Sequence, residues 1–215
     1  MTRIRTRSLC GAVALAMAVT FPVLTQDNEM SFFITSAGNG SGANLGGLEG
    51  ADAHCSMLAS AAGSSGKTWR AYLSTQGSNG VSARDRIGSG PWFNSEGVQI
   101  AGSVDELHYS NAALTKETQL DENGKITNGR TDTPNRHDIL TGTQLDGSRF
   151  ADGEDHTCSN WTGAGDGSAQ VGHHDRTGGG PVPSSWNSAH GSRGCTQANL
   201  EGTGGAGKFY CFATN

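Results

Sequence analysis

The residues with the greatest chemical potential in this 215-residue chain lie in its second half. Seven histidines are many for the composition, and four of them fall between His137 and His174. Gly172-His173-His174-Asp175-Arg176 is the sharpest polar cluster. Combined with His137, Asp138, Asp155, His156 or His190, one of its imidazoles could complete a zinc-like site of nitrogen and oxygen donors. Adjacent histidines on an extended segment point to opposite faces, so His173 and His174 share one ion only if the chain turns between them. The structural alternative is that these imidazoles and carboxylates brace irregular backbone that lacks ladder partners.

Catalysis has thinner support. His137-Asp138 and His174-Asp175 are conceivable general acid/base pairs. No Gly-x-Ser-x-Gly elbow, His-Glu-x-x-His pair or phosphate-binding glycine loop accompanies them. Trp92, Trp161 and Trp186 sit among glycines, where aromatic faces suit sugar rings or peptide side chains. The competing use is to fill a core short of leucine and isoleucine, and Trp69 on an alternating run belongs there. Trp186 and Asn187 are the pair read as ligand-facing.

Behind these residues stands a cysteine frame. Met1 to Thr25 carries Arg3, Arg5 and Arg7 and then an apolar run from Leu9 to Val23, the pattern of a secretory signal peptide. Cys10 falls inside it as a spare. Residues 26–215 then form one expected domain with Cys55, Cys158, Cys195 and Cys211, an even set that reads as two disulfides in an oxidising compartment. Four thiols allow three pairings, and spacing does not choose among them. A secreted or periplasmic location is expected.

Charge and composition narrow the partners. Three of the fifteen Lys+Arg and none of the twenty Asp+Glu fall in the signal segment, so twelve basic face twenty acidic residues after its removal, a net −8. That surface disfavours nucleic acid, heparin and anionic lipid. No further segment could insert in a membrane. Thirty-three glycines without a period indicate a loop-rich domain rather than collagen.

The elements that must position the polar residues can be read in outline. Ser31 to Thr35 reads as a strand and Gly50 to Ala62 as a helix stopped by Gly63. Trp69 to Ser74 alternates as a strand does. Ser103 to His108 has an N-cap and early acids, hence a short helix. Thr118 to Asn128 reads as a hairpin about Asp121-Glu122-Asn123-Gly124-Lys125, without the ligand spacing of a calcium loop. His137 to Thr143 and Phe209 to Ala213 are the remaining strands.

Gly46-Gly-Leu-Glu-Gly-Ala-Asp-Ala-His-Cys55 followed by Thr68-Trp-Arg-Ala-Tyr-Leu-Ser74 resembles the endostatin domain of basement-membrane collagens. Ile139-Leu-Thr-Gly142 with Gly147, Cys158-Ser-Asn-Trp161, Cys195 and Phe209-Tyr-Cys-Phe212 follow in the same order. The resemblance implies an α+β, C-type lectin-like fold with two antiparallel sheets, two helices and a long irregular region. It also implies nested disulfides, Cys55 to Cys211 and Cys158 to Cys195.

Two departures stand out. Calcium-dependent lectins hold the ion with a Glu/Gln-Pro-Asn loop and a Trp-Asn-Asp element. Here Thr133-Pro134-Asn135 and Trp186-Asn187-Ser188 each lack one oxygen donor, which weakens a hard-cation site. The histidines of the endostatin zinc site have no equivalent in Gln26 to Ser31, and its arginine-rich heparin surface none in this acidic chain.

The expected function is therefore an exported ligand-binding module for a glycan or a surface protein. Its ligand would meet Asn135, Arg136, His137 and Asp138, His173, His174, Asp175 and Arg176, and Trp186, Asn187 and His190. Calcium and zinc are the conceivable ions. The alternatives are a metal-dependent hydrolase built on the histidine cluster and a structural envelope or surface protein.

Overall fold

A computed structural model describes Met1 and residues 30–215. The signal segment, its cleavage point and Cys10 lie outside the described residues. Among those described, no helix is long and apolar enough to cross a membrane.

The first described strand lies at one end of a sheet, beside the strand that organises it. β1 (Phe32–Ile34) and β2 (Trp69–Ala71) both pair antiparallel with β8 (Gly205–Ala213), the longest strand. β5 (Asp138–Leu140) runs parallel to β8, and β6 (Gln170–His173) and β7 (His190–Gly191) extend the sheet antiparallel from β5. A separate ribbon joins β3 (Trp92–Phe93) to β4 (Gln99–Ala101). One mixed six-stranded sheet and a two-stranded ribbon thus replace the two antiparallel sheets expected. The cause is β8, which is long enough to accept β5 along its first half and β1 and β2 along its second.

Both faces of β8 are covered, so its side chains alternate between two cores. Phe33, Trp69, Phe209 and Cys211 pack on the face covered by helix α1 (Gly47–Ala61). Phe32, Ile34, Tyr210 and Phe212 pack on the other, with Tyr72, Trp92 and Trp186. The aromatic rings there lie 4.9 to 5.8 Å apart in the Phe32–Phe212, Tyr72–Trp186, Trp92–Phe212 and Phe32–Tyr210 pairs. Aromatics do supply the bulk that leucine does not, each large side chain contributing about 1.5–3 kcal/mol.

α1 lies against β2 through Ala51, Cys55 and Ala59, small residues four apart that let the helix approach closely. Gly50 is obligatory there, because a Cβ would come within 2.1 Å of the Leu45 carbonyl oxygen. Ala62 and Gly63, the latter at φ 84°, close the helix. In α2 (Val104–Tyr109) the Ser103 hydroxyl accepts the Glu106 N–H at 3.1 Å, and the Glu106 carboxylate accepts the Gly102 N–H at 2.8 Å.

Among the described residues, two further α-helical pieces and a 3-10 turn at Ala83–Asp85 exceed the expected pair. α3 (Cys158–Trp161) is a single left-handed turn, with φ between 48° and 66° at all four residues. α4 (Gln197–Thr203) is capped by the Thr196 hydroxyl and leads straight into β8. The left-handed turn is held by the Cys158–Cys195 disulfide and by Trp161, whose indole N–H donates to the Ser74 carbonyl at 2.7 Å. The second disulfide, Cys55–Cys211, ties α1 to β8. The nested pairing is present.

Candidate functional site

The site forms where three strands lie side by side. Asp138 opens β5 and sits opposite His173 on β6, so both side chains project from the same face. Val171 of β6 pairs with His190 of β7, which sets His190 diagonally beside His173. His137, one residue before β5, stacks its ring on that of His173 with centroids 4.2 Å apart.

Their donor atoms converge. The Nε2 atoms of His137, His173 and His190 lie 3.1, 3.3 and 3.7 Å from Asp138 Oδ1. His173 Nε2 and His190 Nε2 are 2.9 Å apart. The side chains of His137, Asp138 and His173 are 3, 2 and 0 % exposed and that of His190 is 20 % exposed. Despite three nitrogens at this range, neither oxygen of Asp138 accepts a hydrogen bond. One donor atom from each of His137, Asp138 and His173 lies within 4.8 Å of the others, the grouping that could hold a metal ion.

The far side of each ring is fixed. His137 Nδ1 meets Asp175 Oδ1 at 3.2 Å, His173 Nδ1 meets the Pro183 carbonyl at 2.8 Å, and His190 Nδ1 meets the Gly191 carbonyl at 3.0 Å. Burial disfavours the His173 imidazolium, but Asp138 and the Pro183 carbonyl outweigh it and hold its pKa above the ordinary value. Burial likewise opposes ionisation of Asp175. His137 and the N–H groups of Arg130 and Thr177 prevail, keeping that carboxyl well below the usual range.

Glycines let the following loop close over the rings. A Cβ on Gly178 would stand 2.7 Å from His173 Cε1 and 3.0 Å from His137 Cε1. One on Gly180 would stand 2.9 Å from His190 Cδ2.

Of the eleven residues singled out in the sequence, five come together here: His137, Asp138, His173, Asp175 and His190. The others do not. His174 turns to the opposite side, bonds the Asn128 carbonyl through Nε2 at 3.0 Å, and is pushed down to about pKa 4 by burial. Asn135 accepts the His137 N–H at 3.2 Å, and Arg136 donates to the Asn135 carbonyl at 3.0 Å, so both brace the entry to β5. Arg176 donates to the Asn111 carbonyl at 3.1 Å.

Trp186 and Asn187 require correction as ligand contacts. Trp186 is 1 % exposed and lies between Tyr72 and Tyr210. The Asn187 amide donates at 3.1 Å to Tyr72 Oη and to the carbonyls of Gln144 and Leu145. Both side chains are buried, Trp186 within the aromatic core and Asn187 in its hydrogen bonds, rather than turned to solvent. Asp155 and His156, weighed as partners for the cluster, lie apart from it: Asp155 accepts the N–H groups of Thr157 and Ser159, and His156 stacks on Phe150.

Sequence reasoning missed a cleft. Cavities of about 530 and 590 Å³ are both lined by Phe150. Gln76, Arg149, Glu154 and Asn160 line the first, and Gln144, Leu145, Gln170, Ser188 and His190 the second. A lone phenylalanine in a polar loop gave no signal of it. No protein-family model matches the chain, and no curated protein matches it.

Proposed function

We propose that the protein is an exported ligand-binding module of the C-type lectin-like class, and that its ligand, a glycan, lies in the cleft about Phe150. One observation carries this reading: two cavities of about 530 and 590 Å³ are both lined by Phe150, one face of which carries the His156 ring, and by side-chain amides, hydroxyls and charged groups. An aromatic face against the apolar side of a sugar ring, with amides for its hydroxyls, is a fitting combination. The nested disulfides and the order of the endostatin-like segments support the scaffold. Two disulfides are compatible with an extracellular location, and export itself rests on the basic and apolar pattern of Met1 to Thr25.

Binding has more support than hydrolysis. The cluster of imidazoles is almost sealed, and Asp175, the carboxylate beside it, is already engaged by Arg130, Thr177 and His137. Of the cluster His190 alone reaches the cleft, and its two ring nitrogens already face His173 Nε2 and the Gly191 carbonyl.

A glycan array followed by equilibrium titration, with and without calcium, tests the proposal. Binding should be seen to at least one glycan, unaffected by calcium and lost in Phe150→Ala with folding retained. Silence on every glycan defeats the sugar reading, and capture of a peptide or protein in the same cleft would replace it.

A further inference from the structure

We propose that His137, Asp138, His173 and His190 form a binding site for one divalent transition-metal ion of the zinc class. The argument begins with the protons. Pro183 O, Gly191 O and the ionised Asp175 carboxylate only accept hydrogen bonds, so each Nδ1 facing them carries hydrogen. In the neutral rings the three Nε2 atoms are therefore lone pairs, and all three gather round a fourth acceptor, Asp138 Oδ1.

Two lone pairs 2.9 Å apart, at His173 and His190, repel unless something positive lies between them. A proton shared by those two nitrogens would relieve that pair alone. It would leave both oxygens of Asp138 without a donor in a place where the side chain is 2 % exposed. An uncompensated buried carboxylate is strongly unfavourable. A single cation among the four donors satisfies all of them at once, whereas one proton, whether between His173 and His190 or on a ring nitrogen facing Asp138 Oδ1, relieves only one contact.

The donor chemistry selects the ion. Three imidazole nitrogens and one carboxylate oxygen suit zinc and its neighbours, whereas calcium and magnesium require mostly oxygen. The outer contacts have the form usual for metal-bound histidines, with each remaining N–H on a carboxylate or carbonyl. A divalent ion also balances the two carboxylates, Asp138 and Asp175. Because every donor belongs to the chain and three are buried, the ion acts as a clasp across β5, β6 and β7 rather than as a catalyst.

The test is metal analysis of full-length protein purified without chelator, followed by zinc titration of chelator-treated protein whose folding is checked by near-ultraviolet circular dichroism. About one equivalent of transition metal is expected, with cobalt(II) substitution giving visible absorption free of thiolate bands. Asp138→Asn and His190→Ala should each weaken zinc binding at least tenfold. If removal of metal unfolds the protein, zinc should restore the native spectrum. A folded, metal-depleted chain that takes up no zinc overturns the proposal. So does an unfolded one that zinc does not rescue, or uptake of calcium alone. Glycan binding is scored separately through Phe150, so failure of either proposal leaves the other readable.

Discussion

Asp52 and Arg86 meet across the start of α1, with the arginine Nη2 2.9 and 2.8 Å from the two carboxylate oxygens. Asp52 also accepts the Ala71 N–H at 2.9 Å and Arg70 Nη1 at 2.7 Å, while Arg86 donates to the Ala71 carbonyl. One carboxylate thus welds the helix, β2 and the turn around Arg86. Both charged side chains of the central pair are nearly buried, at 11 and 12 % exposure. Asp52→Ala should cost about 3–5 kcal/mol, because it leaves the guanidinium nearly buried without its counter-ion. Denaturant unfolding checks this; a loss below about 1 kcal/mol, the range of exposed pairs, would refute it.

The two disulfides should differ in weight. Cys55–Cys211 closes 156 residues and Cys158–Cys195 closes 37. On loop entropy alone they contribute about 5 and about 4 kcal/mol. Cys55→Ser with Cys211→Ser should therefore lower the unfolding free energy more than Cys158→Ser with Cys195→Ser. Equal or reversed losses would show that local strain relief dominates.

Acid should weaken the fold through His108. Its Nε2 is 2.7 Å from Tyr72 Oη and its Nδ1 is 2.7 Å from the Val104 carbonyl. Burial lowers its pKa from the ordinary 6.5. The unfolded chain then binds a proton more readily than the folded one. Stability is full above about pH 6.5 and declines as pH falls from there towards the lowered value. His108→Gln should flatten that part of the pH–stability curve, as urea midpoints at successive pH values will register.

Asp175 should tune the cluster without belonging to it. Its carboxylate meets His137 Nδ1 at 3.2 Å. Asp175→Asn keeps the shape but removes the charge, and zinc affinity should fall roughly 10–100-fold. Calorimetric titration, with circular dichroism as the folding control, separates this from a general loss of structure.

Part of this architecture was legible before any coordinates. The Phe32-Phe33-Ile34 run, the small-residue face of α1 and the Ser103 cap announce β1, α1 and α2, because each is set by local pattern. The Asp of Gly-Ala-Asp, Asp52, and the Arg of Arg-Ala-x-Leu-Ser, Arg70, bond each other, a contact that neither segment reveals alone. The opposite facing of His173 and His174 follows from strand geometry. The convergence on Asp138 does not, since it depends on the register of β5, β6 and β7, of which β7 has only two residues. The burial of Trp186 is hidden for a related reason: nothing in a loop of serine and glycine reveals which side of the sheet it will cross.

β8 pairs with β1, β2 and β5, and all three precede it in the chain. While a ribosome is still working towards residue 205, those strands have no common partner and the sheet has no axis. Closure therefore waits on contacts of very long sequence separation, which makes for slow, late acquisition of the native state. The three earlier strands therefore gain a shared axis only once residues 205–213 are in place, so any event that delays that segment delays the whole sheet.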